Sequence, residues 1–171
     1  MVVEKQFEVS TMPVQKFAIS MLAMLALVIF STPASSQQRP DYGTPVDSAT
    51  AKRIAVATIA ACRAENWNVA VAVVDNHGFL VYFERMDNTQ TASAEIAQIK
   101  ASAAATYRRP TRAFAKAIAN GRTAIVTFPG IVASPGGMPI LKDGKVIGGV
   151  GVSGVTGDQD EQCAKAGLAA M

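Results

Sequence analysis

Few residues in this 171-residue chain combine the type and the placement that chemistry needs. His77 is the only histidine. It stands beside Gly78 at what reads as a hairpin tip, where an exposed imidazole could donate a ring nitrogen to a metal or haem iron. The same place suits a plain turn histidine that tolerates an unusual backbone angle. Glu84, Arg85 and Asp87 cluster where the second strand of that hairpin ends. Arg85 could grip a carboxylate or propionate in a bidentate fork, or belong to an exposed salt-bridged loop that stabilises little. Lys100 follows Ile96 by four residues, so it projects from the same helix face. Tyr107 lies about two turns further along, and the two together could meet a flat anionic ligand. As the alternative, Lys100 or Tyr107 could serve as the general acid/base of an enzyme acting on a small organic acid, while a snorkelling lysine explains the position without any function. Pro135-Gly136-Gly137 offers backbone groups free of side chains, which suits an anion or carbonyl as well as a structural turn.

Other chemistries are excluded. Gly149-x-Gly151-x-x-Gly154 has the outline of a dinucleotide fingerprint, but only 17 residues follow Gly154. The fingerprint needs a helix, a second parallel strand and an acidic residue roughly 20 positions on. There is no phosphate-binding Gly-x-x-x-x-Gly-Lys-Ser/Thr loop and no Gly-x-Ser-x-Gly elbow to partner His77. Two distant cysteines and one histidine cannot form a cysteine/histidine zinc site unaided. A net charge of +3, with no basic cluster beyond Arg108-Arg109 and Arg112, argues against a nucleic-acid partner.

The elements that must position these residues begin after a leader. Lys16 precedes an apolar run from Phe17 to Phe30, short for a membrane span and right for the core of a secretion signal. Ala34-Ser35-Ser36 supplies small residues for cleavage. Residues 1–36 therefore read as a signal peptide, with Met1 or Met12 as the start. The expected location is periplasmic or secreted, with no membrane span after cleavage. Residues 37–45, with Pro40, Gly43 and Pro45, read as a flexible arm, and 46–171 as the domain. Cys62 and Cys163 fall in alanine-rich helical patterns. Export would permit a disulfide between the first and last helices. Two buried thiols acting as small apolar residues is the reading preferred here.

Val46 to Asn66 is a helix by its apolar spacing, and Val69 to Asp75 a strand apolar on both faces, covered on each side. Asn76-His77-Gly78 turns the chain into a return strand ending at Arg85. A helix from about Ala92 to Tyr107 carries the stripe Ile96, Ile99, Ala103 and Tyr107. A short helix after Thr111 ends near Asn120-Gly121, and Ala124 to Phe128 reads as a strand or extended segment. Met138 to Leu141 and Lys145 to Ser153 pair through the Asp143-Gly144 turn. Asp158, Asp160 and Glu161 then open the last helix. Strands that arrive in hairpins give an antiparallel sheet and the α+β class. Two apolar faces in a domain with few helices also point to a homo-oligomer.

VVDNHGFLVYFERMDN, EIAQIKASAAATY and SPGGMPILKDGKVIGGVGVSG followed by GDQDEQCAKAG resemble the GlcG/HbpS family of haem-binding proteins from about Thr44 to Met171. The resemblance implies a profilin-like antiparallel β-sheet flanked by helices, oligomers that are often octamers, and haem binding in some members. Haem degradation or redox sensing has been proposed for some. By the shared motifs, Arg85, Lys100 and Pro135-Gly136-Gly137 line the pocket; Tyr107 joins them by its place on the Lys100 helix face, and His77 is the candidate iron ligand by its place at the tip, since the family fixes no one ligand. One departure stands out. The family commonly continues Arg-Met-Asp with Gly-Ala, whereas Asn88-Thr89 follow Asp87 here, which alters the loop at the expected pocket mouth.

Overall fold

The computed structural model describes residues 38–171; the expected signal segment lies outside the described residues. The elements run α1 (Ser48–Ala64), β1 (Ala70–Asp75), β2 (Leu80–Arg85), α2 (Ser93–Thr106), α3 (Arg112–Ala119), a 3-10 turn (Thr123–Thr127), β3 (Gly137–Lys142), β4 (Lys145–Ser153) and α4 (Gly157–Leu168). The four strands form one antiparallel sheet in the order β2-β1-β4-β3. The class is α+β, as the hairpin pattern predicts. No helix among the described residues is long and apolar enough to cross a membrane.

The alternation within β1 decides the layers. Val71 and Val73 face one side with Val150 and Val152, and Ile54, Ile59 and Ala164 of α1 and α4 pack on them. Each buried valine there contributes about 1.5–3 kcal/mol. Ala70, Ala72 and Val74 face the other side and meet Ala97, Ala101 and Ala105 of α2. The α1 helix starts where Asp47 accepts a hydrogen bond from Thr50 N at 2.7 Å. Thr156 and Gln159 cap α4 reciprocally. Cys62 and Cys163 form a disulfide joining α1 to α4, so the expectation of two separate thiols is corrected. Both cysteines are buried where the two helices pack, which is close enough for the sulfurs to bond.

Two further expectations are revised. Ile96 and Ile99 do not form the buried stripe of α2; they are only half-buried, while Ala97, Lys100, Ala101, Ala104 and Ala105 are buried. The cause lies in β4. A Cβ on Gly149 would collide with Ala101 O, and one on Gly151 with Ala97 O. The helix backbone rests directly on the glycines, so its contacting face carries alanine. The segment expected as a strand near Ala124 is the 3-10 turn. Among the described residues no strand pairs with it, and it closes on itself through Ile125 N to Arg122 O and Phe128 N to Ile125 O. Ile125 anchors it against Ala103 and Phe114. Within the segment read as an arm, Gly43 N donates to Val146 O and Tyr42 OH donates to Thr106 O.

Candidate functional site

Lys100 and the glycine loop meet, as the sequence anticipates, but they meet in a closed junction. The Lys100 ammonium donates to Val152 O at 3.0 Å and to Asp160 Oδ2 at 2.7 Å, and both side chains are 2% exposed. Val155 N donates to the other Asp160 oxygen. Burial pushes the Asp160 carboxyl above its ordinary 3.8, against the pull of Lys100. Gly136 has φ +118°, and a Cβ there would lie 2.8 Å from Asp160 Cβ and 2.9 Å from the Lys100 ammonium. The loop is held by Val152 N donating to Gly136 O, and by Thr111, which exchanges hydrogen bonds with Gly137 and donates to Ser134 O. Arg112 adds an outer clamp on α4, with its Nε 2.8 Å from Glu161 Oε2 and its Nη2 on Asp158.

Lys100 is thus buried, as an acid/base lysine would be. Its donors nevertheless face a carboxylate and a carbonyl, and Gly136 fills the space where a substrate would have to stand. Tyr107 is elsewhere. Its hydroxyl donates to Pro129 O at 2.9 Å and its ring packs edge-on to Phe114. Nothing joins it to Lys100 in a shared site.

His77 and Arg85 are exposed at opposite ends of β2. The positive backbone angle of the turn belongs to Gly78, at φ +90°, and His77 is not among the residues with positive φ. The His77 amide donates to Asp75 Oδ1, and its imidazole has no hydrogen-bond partner among the described residues. Phe79 and Leu80 beside it are 72% and 50% exposed. The tip therefore presents a free imidazole in an apolar setting. From Leu80 to Arg85 the strand climbs five steps, about 17 Å at 3.3 Å per residue. Arg85 has no ion-pair partner among the described residues, and Glu84 instead accepts from Tyr82 OH. A separate cleft of about 810 Å³ opens between the α1 N-terminus and the β3–β4 turn; none of these residues lines it. No group of three metal-ligating side chains occurs among the described residues.

Sequence reasoning assigned Asp160 to the helix dipole and missed it as the partner of Lys100. The signal was present: Asp160, Cys163 and Gly167 recur at helical spacing on the buried face of α4.

The sequence model described as Haem degrading protein HbpS-like matches residues 46–169. Protein GlcG of Escherichia coli (strain K12) is 45% identical over 106 residues, covering 60% of this chain and 79% of its own length. The crystal structure of a Streptomyces reticuli HbpS double mutant superposes with a TM-score of 0.69 at 34% identity, covering 74% of this chain and 87% of that one. A crystal structure of PduOC in complex with haem gives a TM-score of 0.68 at 25% identity, over 75% and 96% of the two chains.

Proposed function

The chain belongs to the HbpS-like family, and from that premise we propose that it is an exported, oligomeric haem-binding protein whose iron is held by His77. The observation that carries the reading is the hairpin tip: an imidazole without a hydrogen-bond partner among the described residues, flanked by exposed Phe79 and Leu80. Those groups fit haem, which asks for one nitrogen ligand and an apolar surface for the ring. The haem complex of PduOC supports the assignment of the ligand. Bound haem would supply a redox-active iron. His77 would hold that iron, and Phe79 and Leu80 would keep water from one side of the ring. Arg85, exposed and without an ion-pair partner among the described residues, is the cation suited to a propionate. Its place at the far end of β2 means that it would serve a haem held by a neighbouring subunit. Lys100 and the 135–137 loop would support the fold that presents these groups. Export is supported by the apolar 17–30 segment and by the disulfide, which persists in oxidising compartments.

Titrating haemin into residues 38–171 tests the proposal. A shifted Soret band is expected, altered in both position and affinity by His77→Ala. No Soret shift with the unmodified protein would sink haem binding, and an identical spectrum from the variant would remove His77 as the ligand.

A further inference from the structure

Between Glu95 and Asp143 the chain holds Lys100, Arg108, Arg109, Arg112, Lys116, Arg122 and Lys142 and no acidic residue at all. Lys100 and Arg112 are neutralised by the acids of α4. Arg108 donates to Pro40 O and lies over the Tyr42 ring. Arg109, Lys116 and Arg122 have no carboxylate partner among the described residues, and Arg109 stacks over Phe114 instead. Lys116 and Arg122 belong to one surface module, α3 with the 3-10 turn that follows it, and Arg109 lies in the connection that leads into α3. From Gly121 to Gly130 every residue except Ile125 is exposed. Val126 is 60% and Phe128 49% exposed, and a Cβ on either flanking glycine would meet nothing within 4 Å. The module is an apolar tip exposed to solvent, with cations in the same stretch of chain.

We propose that this tip attaches the protein peripherally to a membrane surface rich in anionic lipid headgroups. Exposed apolar side chains, with cations nearby in the chain that have no carboxylate partner among the described residues, fit an interface that parts around Val126 and Phe128 while its headgroups meet Lys116, Arg122 and Arg109. Ile125, buried against Ala103 and Phe114, holds the tip to the body of the fold. Attachment of this kind is independent of haem, because His77 lies in the β1–β2 turn and takes no part in the module.

The test is co-sedimentation of residues 38–171, whose core is self-contained, with vesicles of equal phosphatidylglycerol and phosphatidylcholine and with phosphatidylcholine alone. Binding is expected only to the anionic vesicles, and it should weaken in high salt. Reversal of Lys116 or Arg122 to glutamate should lower partitioning about fivefold or more for each cation lost. Phe128→Asp should abolish it with thermal unfolding unchanged, since the side chain is outside the core. Three results would overturn the proposal. One is no binding of the unmodified protein to anionic vesicles. Another is binding that survives Phe128→Asp. The third is a Phe128→Asp variant whose light-scattering mass drops while vesicle binding stays as before, which would assign the tip to a second copy of the chain.

Discussion

Replacing Asp160 by alanine strands the Lys100 ammonium in an interior where it is 2% exposed and keeps only the Val152 carbonyl. Removing one partner of a buried ion pair costs about 3–5 kcal/mol, because the remaining charge has no compensation. For a domain of this size each kcal/mol lowers the midpoint by about 4 °C, so a fall of about 12–20 °C is expected. Lys100→Met should cost roughly half as much. The abandoned carboxyl can take up a proton, toward which burial already pushes it, and it keeps its hydrogen bond from Val155 N. A double change of Lys100→Met with Asp160→Leu should recover most of the loss, as apolar replacements of buried pairs commonly do. The pH dependence follows from the same direction. The folded state holds the Asp160 proton more tightly than the unfolded state, whose value is about 3.8. As pH rises from 3.8 through the raised folded pKa, this group therefore lowers stability. Asp160→Asn should remove that decline, and Lys100→Met should extend it to higher pH. Urea unfolding followed by Trp67, the only tryptophan and packed against the core, reads all of these between pH 4 and 7. The reasoning fails if Asp160→Ala costs less than about 1 kcal/mol, or if Lys100→Met proves the costlier single change.

Two other outcomes are expected. Gly151→Ala would drive a Cβ into Ala97 O and the Ala101 backbone; α2 must lift from the sheet, and denaturant unfolding should show a loss of about 3 kcal/mol or more. Reducing the Cys62–Cys163 bridge, or changing both cysteines to serine, should cost about 2–5 kcal/mol by the same assay, and non-reducing mass spectrometry of the purified chain should find no free thiol.

The parts of the fold that were legible in the sequence are those that one local rule decides. VAVAVV can only be a strand covered on both faces, and β1 is buried from Ala70 to Val74. Asp143-Gly144 demands a turn with both residues at positive φ, and they take φ 51° and 72°. What escaped depends on contacts between distant segments. The glycines of β4 were read as space for something to approach, which was sound. That the occupant is the α2 backbone, rotating alanine inward and leaving Ile96 and Ile99 half-buried, could not follow from the helix's own periodicity. Lys100 and Asp160 are 60 residues apart, and the Cys62–Cys163 bridge spans 101. Nothing in either local stretch announces its partner. Of the candidate site, Lys100 and the glycine loop do come together, in a junction that excludes solvent. His77 was legible as an exposed tip because the Asn76-His77-Gly78 turn fixes its place in the hairpin. Arg85 was grouped with Lys100 through the shared family motifs; β2 carries it at the sheet edge, exposed and without an ion-pair partner among the described residues.

The measurement that bears most directly on the central claim is a crystal structure of residues 38–171 grown with haemin. The account predicts iron bonded to a ring nitrogen of His77, with Phe79 and Leu80 against the porphyrin. Haemin held by any other side chain, with the His77 imidazole still free in solvent, would contradict it.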